Sequence, residues 1–299
     1  MKKAITQKIL VILGPTATGK SDLAVKLAKK YNGEVISADS RQVYSGLDIG
    51  SGKISKKEML EVPHHMLDLI SIKKTYSVSD WQKAVQKIIT EIISRGKTPM
   101  ICGGTGFYIQ SIVDGIVLPE VPPNGKLRKE LEAKNVKELF SILKKLDSKR
   151  AQKIDKENPV RLLRAIEIAK AIGKVPEIKK QKSTFEFLQI GLTLPQNELN
   201  KKIHSRLLSR TNGMIREAKN LHKKGTSWKR MERLGLEYRY LSRLLQDKIS
   251  KKTFLSELEK EIIQYSKRQM TWFKRDKNIL WFSPQKTKKI DKQIKLFLA

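Results

Sequence analysis

The chain has 299 residues, and its 62 Lys and Arg against 30 Asp and Glu give a net charge of +32 at pH 7. A hydrophobic fraction of 39% excludes a wholly disordered protein, and no apolar run approaches the roughly 20 residues that span a bilayer. The single Cys102 excludes an intrachain disulfide and a multi-cysteine metal site. The excess charge favours a nucleic acid partner, with a solvated lysine-rich surface as the alternative.

The first third of the chain alternates predicted strands and helices. Its N-terminus, Met1–Ala4, leads into a strand rather than a cleavage site, so we expect a cytoplasmic protein without a signal peptide or a membrane anchor. The predicted elements are strand Lys8–Leu13, helix Lys20–Tyr31, strand Gly33–Ser37, helix Trp81–Ile93 and strand Thr98–Cys102. Such alternation predicts a parallel sheet with right-handed crossovers.

Prolines at positions 119, 122 and 123 mark a linker, after which the alternation of strands and helices ends. The stretch Gly125–Gly173 is helical in pattern, and Phe185–Leu194 has the apolar pattern of a strand that returns to the sheet. Helices Asn200–Arg210 and Leu255–Lys274 follow. We therefore predict an α/β fold: a P-loop parallel-sheet core (residues 1–119), a helical insertion domain (120–182), and a return to the core with C-terminal basic helices (183–299).

A phosphate-binding loop joins the first strand to the first helix. The eight residues Gly14–Ser21 (GPTATGKS) fit the pattern G-x-x-x-x-G-K-[ST], and a strand before it and a helix after it are the context that makes the pattern credible. Backbone N–H groups and the helix N-terminus form an anion nest, Lys20 adds a charge, and Ser21 can bind Mg²⁺. A nucleotide kinase, an ATPase and an enzyme with a diphosphate substrate all satisfy this pattern.

Two further segments are predicted at the carboxyl edge of the sheet, where open α/β folds bind their ligands. Asp39 follows the second strand and can act as a general base, bind Mg²⁺, or simply cap a helix. Gly103–Gly106 (GGTG) follows the next strand, and its glycines permit the close approach of a ligand. In Pro63–Asp68 (PHHMLD) the adjacent histidines lack ligand spacing, which favours a structural or substrate-packing role over a metal site.

Basic side chains accumulate in two other places. The predicted helix segment Gln264–Arg275 mixes basic, amide and aromatic groups, which suits phosphate contacts together with base stacking. Arg161 and Arg164 lie three residues apart on one predicted helix face, and arginine pairs suit phosphate recognition. A solvated helix face is the alternative for both, although Trp272 and Phe273 weigh against it in the C-terminal helix.

Taken together, these motifs resemble the tRNA dimethylallyltransferases, also called tRNA isopentenyltransferases. The resemblance covers nearly the whole chain and rests on segments that occur in the family's order: Gly14–Ser21, Asp39–Gln42 (DSRQ), Tyr44–Gly50 (YSGLDIG), Pro63–Asp68, Gly103–Tyr108 (GGTGFY), Arg161–Glu167 (RLLRAIE) and Lys267–Lys274 (KRQMTWFK). No Cys/His zinc-finger segment follows the core, so the chain looks like the bacterial form.

The resemblance implies a reaction. A dimethylallyl group moves from dimethylallyl diphosphate to N6 of the adenosine 3′-adjacent to the tRNA anticodon, with Mg²⁺ as cofactor, and the P-loop holds the diphosphate rather than ATP. Family members are monomers, and the target base is expected to flip out of the anticodon stack.

The resemblance also implies site residues. The expected catalytic residues are Asp39, Thr16, Lys20 and Arg206. The diphosphate is expected on Gly14, Pro15, Thr16, Ala17, Thr18, Gly19, Lys20 and Ser21, with Mg²⁺ on Ser21. The expected tRNA contacts are Asp39, Ser40, Arg41, Gln42, Thr105, Arg161, Arg164, Lys267, Arg268, Gln269 and Trp272, with the insertion holding the anticodon stem-loop.

The sequence departs from the family pattern in two places. Asp155–Glu157 replaces a His-Pro pair before Arg161, and Glu237 stands where the family commonly has Gly directly before Tyr238. Tyr238 and Arg239 are therefore weaker candidates for RNA contact. Two other functions compatible with the P-loop are a kinase of nucleosides or small metabolites and an RNA-binding NTPase without transferase activity.

Overall fold

The computed structural model describes residues 7–299, so the predicted N-terminal segment Met1–Ala4 lies outside it. Its strands are β1 (Gln7–Leu13), β2 (Gly33–Ala38), β3 (Tyr44–Ser45), β4 (His64–His65), β5 (Ile70–Ser71), β6 (Thr98–Gly103), β7 (Ile116–Val117), β8 (Lys179–Lys180), β9 (Phe185–Leu192) and β10 (Leu280–Phe282). Its helices are α1 (Lys20–Lys30), α2 (Lys56–Met59), α3 (Val78–Ser94), α4 (Gly106–Val113), α5 (Gly125–Glu132), α6 (Val136–Leu146), α7 (Ser148–Lys153), α8 (Pro159–Ile172), α9 (Gln196–Lys223), α10 (Trp228–Leu234), α11 (Leu236–Leu244), α12 (Lys251–Phe273) and α13 (Thr287–Leu298).

Six strands form one sheet in the order β10-β9-β1-β6-β2-β4, and every neighbouring pair is parallel. This confirms the predicted α/β class with a parallel-sheet core. The register pairs Leu13 with both Gly103 and Gly191, and Gly103 with Ala38. The carboxyl ends of β1, β2, β6 and β9 therefore meet at one edge, and the loops that leave them lie side by side.

Side chains on the central strand β1 alternate between two apolar layers, as the pleat of a strand requires. Ile9, Val11 and Leu13 pack in the layer that holds Trp81 and Ile89 of α3, together with residues of α4, α11 and α12. The even-numbered positions of β1, Leu10 and Ile12, pack in the other layer, against α1 and α13. Helices thus cover both faces of the sheet, which explains why the central strand β1 is apolar at every position from Ile9 to Leu13.

The chain divides into two compact units. Of the described residues, one unit includes 7–115 and 182–299, and the other is Ile116–Gln181. The second unit begins four residues before the predicted insertion (120–182) because β7, at Ile116–Val117, pairs antiparallel with β8. Its core is formed by apolar residues of α5 to α8, namely Leu127, Leu131, Leu139, Leu143, Ile154, Leu162 and Ile166.

The helices of residues 7–299 are too short or too polar to cross a membrane.

Candidate active site

The P-loop lies at the carboxyl end of β1 and opens α1, as its sequence pattern predicts. Gly19, in the left-handed conformation with φ of 84°, is the N-cap of α1. Inside the loop, the Thr18 hydroxyl donates to the Pro15 carbonyl at 2.9 Å. The Thr16 N–H donates at 2.9 Å to the side-chain oxygen of Gln269, which lies far along the chain on α12. The loop is therefore fixed both from within and by the C-terminal helix.

Lys20 lies folded against this loop. Its ammonium donates to the Pro15 carbonyl at 2.6 Å. Burial, reinforced by the charge of Arg206, lowers the pKa of Lys20 to about 8, although Cys102 and Asp39 act in the opposite direction. A partly desolvated ammonium interacts strongly with an anion, because little water competes for its charge.

Two arginines of α9 face the same loop. Arg206 and Arg210 lie one turn apart, and Arg206 donates to the Gly52 carbonyl at 3.5 Å. Nη2 of Arg210 is buried and has no hydrogen-bond partner among residues 7–299. Both arginines line a pocket together with Thr16, Ala17, Ser51, Ile203, Leu207, Met214, Glu237 and Ile262.

The chemistry of this pocket is that of an anion site with an apolar wall. Burial, together with the charge of Arg206, lowers the pKa of Arg210 to about 10. Two adjacent guanidinium groups with an unpartnered N–H favour a bound polyanion, because the anion would satisfy the donor and relieve the repulsion. Arg206 was expected here from the sequence, whereas Arg210 was not, although its spacing of four residues from Arg206 on a helix was an available signal.

Glu237 adds a carboxyl group to the pocket. Burial raises its pKa, while the charges of Arg210 and Arg206 oppose that increase. It stands at the start of α11, where the resemblance led us to expect a glycine. Its neighbour Tyr238, a weak candidate for RNA contact, is only 1% exposed and donates its hydroxyl to Glu217 at 2.7 Å. Tyr238 is thus a buried structural group.

Asp39 lies directly after β2, in the turn that the sequence places beside the P-loop. Its Oδ1 accepts the Arg41 N–H at 2.8 Å. The same turn is joined to the loop after β6, because the Thr105 hydroxyl accepts the Ser40 N–H at 3.1 Å and the Thr105 N–H donates to the Ala38 carbonyl at 3.1 Å. Four of the predicted residues thus form one hydrogen-bonded strip at the sheet edge.

Gln42 and Gln269 differ from the expectation that they contact tRNA. The Gln42 amide accepts the Ser37 hydroxyl at 2.9 Å and donates to the Gly52 carbonyl at 3.4 Å. Gln269 is 7% exposed, accepts the Thr16 N–H, and donates to the Gly104 carbonyl at 2.9 Å. Amides used in this way hold protein loops in place rather than reading a base.

The glycines of the loop after β6 explain how α12 approaches it so closely. A Cβ on Gly104 would overlap the Gln269 amide, and a Cβ on Gly106 would overlap the indole of Trp272. That indole also packs edge-to-face on Phe107 and lies under the Arg275 guanidinium, 5.2 Å from the ring centroid. Trp272 is therefore largely engaged in packing, in contrast to the predicted RNA contact, whereas Lys267 and Arg268 of the same helix are exposed.

The two arginines predicted on the insertion differ in their surroundings. The side chain of Arg161 is 58% exposed and lies 3.7 Å from the exposed carboxylate of Asp155. Arg164 instead donates to Glu167 at 2.7 Å and to the Val121 carbonyl at 2.8 Å. Glu167, whose side chain is 1% exposed, also binds Arg128. Arg161 is available to a partner, whereas Arg164 belongs to the internal bonding of the insertion.

The histidine pair forms part of the fold. The Nε2 of His65 lies 2.6 Å from the buried Glu34 carboxylate, and the Nδ1 of His64 lies 2.8 Å from the Val62 carbonyl. Burial acts to raise the pKa of Glu34, but hydrogen bonds from Arg95, His65 and Lys97 outweigh it and lower that pKa to about 2. The structural role favoured for this motif fits these contacts, and residues 7–299 hold no group of three His, Cys, Asp or Glu suited to a metal.

The amino-acid sequence of this chain is similar to those of known proteins over most of its length. The family model for IPP transferase matches residues 42–276. A protein of Treponema denticola named tRNA dimethylallyltransferase 2 is 44% identical over 272 residues, covering 89% of this chain and 91% of its own length. A tRNA dimethylallyltransferase of Halothermothrix orenii is 37% identical, covering 96% of this chain and 91% of its own.

Solved structures give the same result. The tRNA isopentenylpyrophosphate transferase of Bacillus halodurans superposes with a TM-score of 0.72 at 34% identity, covering 98% of this chain and 97% of the other. A eukaryotic dimethylallyltransferase acting on tRNA superposes with a TM-score of 0.76 at 27% identity, covering 89% of this chain and 69% of the other. The chain belongs to the IPP transferase family, and the relatives it matches are named tRNA dimethylallyltransferases.

Proposed function

We propose that the protein transfers a dimethylallyl group from dimethylallyl diphosphate to N6 of the adenosine 3′-adjacent to the anticodon in tRNA. The observation that carries this proposal is the pocket in which the P-loop faces Arg206 and Arg210, with apolar side chains beside them. A diphosphate with a short hydrocarbon tail matches both parts of that lining.

The diphosphate is the leaving group, so catalysis must stabilise the charge that develops on its bridging oxygen. We assign this role to Lys20, Thr16, Arg206 and the loop N–H groups, and we add Arg210 because its buried Nη2 needs an acceptor. Gln269 engages only the backbone N–H of Thr16, and the Thr16 hydroxyl makes no hydrogen bond within residues 7–299. That hydroxyl can therefore serve the bridging oxygen.

Ser21 fits the expected Mg²⁺ site. Its exposed side chain lies in the first turn of α1, directly after Lys20. Mg²⁺ is usually held by one or two protein oxygens together with substrate phosphates and water, so a single hydroxyl suffices here. When bound, the ion supplies positive charge that neutralises the diphosphate.

Asp39 is the proposed general base. Adenine N6 is a weak nucleophile because its lone pair is delocalised into the ring, and a carboxylate bonded to its N–H both orients it and accepts the proton. In the transfer step, the bond between C1 of the dimethylallyl group and the diphosphate oxygen breaks, and the oxygen keeps the electron pair. The N6–C1 bond forms, and the N6 proton moves to Asp39.

The tRNA is placed by residues outside the pocket. Ser40, Arg41 and Thr105 at the sheet edge would contact the flipped nucleotide. Exposed cations, Arg161 on the insertion and Lys267 and Arg268 on α12, would contact backbone phosphates. We propose that the protein acts as a monomer, as its family resemblance implies.

An assay with labelled dimethylallyl diphosphate, ATP and bulk tRNA separates this proposal from its alternatives. We expect label in RNA, released diphosphate, and no requirement for ATP. Phosphoryl transfer from ATP to a metabolite would instead support a kinase, and RNA-stimulated ATP hydrolysis alone would support an NTPase. Either outcome without allyl transfer would reject the proposal.

A further inference from the structure

Glu217 on α9 gathers four hydrogen bonds on one carboxylate. Its Oε2 accepts the backbone N–H groups of Asp48 at 2.9 Å and Ile49 at 2.6 Å. Its Oε1 accepts the Gly50 N–H at 2.9 Å and the Tyr238 hydroxyl at 2.7 Å. A carboxylate with this many donors fixes the segment that supplies them, because hydrogen bonds to charged groups are about twice as strong as neutral ones.

The segment held by Glu217 continues directly into the wall of the anion pocket. We call residues 48–52 the pocket loop. Its Ser51 lines the pocket, and its Gly52 carbonyl accepts from Arg206 at 3.5 Å and from the Gln42 amide at 3.4 Å. Gly52 has φ of 65°, and a Cβ there would overlap the Arg206 guanidinium and approach that of Arg210 to 3.0 Å. The position of this loop therefore determines where the Arg206 guanidinium can lie.

Tyr238 completes the arrangement from α11. Its ring lies against Gly50, where a Cβ would overlap the phenol, while its hydroxyl reaches Glu217. The pocket loop thus lies between a carboxylate that takes its N–H groups and a ring that covers its backbone. These contacts give a role to Asp48, Ile49 and Gly50, the last three residues of the sequence segment Tyr44–Gly50.

We infer that Glu217 is a positioning residue that sets the affinity of the site for a diphosphate, by holding the pocket loop and through it Arg206. The inference rests on the proposed function only in taking the pocket as the diphosphate site. The carboxylate itself does not touch the substrate. It acts through the Gly52 carbonyl, so its loss would displace a guanidinium without removing one.

The test is the Glu217→Gln variant, with binding of inorganic diphosphate measured by isothermal titration calorimetry. An amide offers one acceptor oxygen, and its NH₂ group would face backbone donors. We expect the Kd for diphosphate to rise at least about tenfold, equivalent to about 1.4 kcal/mol. The KM for dimethylallyl diphosphate should rise in parallel, while the KM for tRNA stays within about twofold, a split that a general loss of stability would not produce.

Glu198→Gln is the matched control, because Glu198 is an exposed carboxylate in the first turn of the same helix. A folded Glu217→Gln variant that binds diphosphate like the Glu198→Gln control overturns the inference, whatever its melting temperature. If Glu217→Gln does not fold by circular dichroism, Tyr238→Phe decides by the same comparison, since it keeps the ring and removes one bond. Failure of the unaltered protein to bind diphosphate would instead reject the proposed function.

Discussion

At the scale of single residues, Asp39 is the side chain on which the proposed chemistry depends most. Its Oδ1 holds the turn through the Arg41 N–H, and Oδ2 makes no hydrogen bond within the described part of the chain. One oxygen thus fixes the carboxylate while the other remains available to an incoming N–H. The position of Asp39 could be predicted from the sequence, because the end of a parallel strand fixes where the next residue lies. The hydrogen bond from the Arg41 N–H that orients its carboxylate could not, because it depends on the conformation of the local turn.

Replacing Asp39 with alanine tests its role as base. We expect turnover to fall by at least about 10²-fold, the scale of general-base loss, while the Kd for tRNA changes little. Steady-state transfer assays and a tRNA binding titration give the two values. Turnover near that of the unaltered protein would reject Asp39 as the base.

The pH dependence of the reaction should report Lys20. Because burial lowers its pKa to about 8, the ammonium that binds diphosphate is present below that pH and is lost above it. We therefore expect kcat/KM for dimethylallyl diphosphate to fall on the alkaline side of about pH 8, since this ratio reflects groups of the free enzyme. The assay is run with saturating tRNA at every pH. A value of kcat/KM that stays constant up to pH 10 would contradict the role of Lys20 in binding the diphosphate.

At the scale of elements, α12 connects the C-terminal half of the chain to the P-loop. Sequence patterns predicted this helix and the main strands β1, β2, β6 and β9, because apolar runs next to glycine loops are strong signals. They missed β4 and β10, which are two and three residues long and too short to show a period. They also ended α9 at Arg210, whereas it continues to Lys223.

The contact between α12 and the P-loop is tested by Gln269→Leu. Removing the amide leaves the Thr16 N–H and the Gly104 carbonyl unsatisfied, which costs about 1–3 kcal/mol each when buried. We expect a lower melting temperature and at least about tenfold weaker diphosphate binding, with tRNA affinity unchanged. Gln264→Leu, at an exposed position of the same helix, is the control.

The opposite result would restore the interpretation made from sequence. If Gln269→Leu weakens tRNA binding and leaves diphosphate binding unchanged, the amide contacts RNA. Sequence could not distinguish these roles, because the partners of Gln269 lie 253 and 165 residues away along the chain.

At the scale of the whole molecule, the cations behind the net charge of +32 have different roles in different regions. The P-loop and the pocket beside it use three cations, Lys20, Arg206 and Arg210, of which Lys20 and Arg206 were named from sequence. Residues 119–182 and 267–299 carry net charges of +9 and +8 and are the regions proposed for tRNA. Glu217 escaped sequence analysis because its importance comes from segments that meet only in the fold.

The arginine pair of the insertion provides a matched test of that division. Arg161→Ala should make the plot of log K for tRNA against log salt shallower by about 1, as expected for one lost phosphate contact. Arg164→Ala should leave that slope unchanged and lower the free energy of unfolding by about 1–3 kcal/mol, because it removes bonds to Glu167 and Val121. An unchanged slope for Arg161→Ala would remove it from the tRNA surface.

The most direct test of the account locates the label in the RNA. The protein is incubated with dimethylallyl diphosphate labelled in its hydrocarbon part and with tRNA, and the RNA is then digested and its nucleosides separated. We expect label on N6 of one adenosine, the one 3′-adjacent to the anticodon, with one diphosphate released per transfer. Asp39→Ala should give at least about 10²-fold less of both in the same time. Label elsewhere, or diphosphate release without labelled adenosine, would contradict the account.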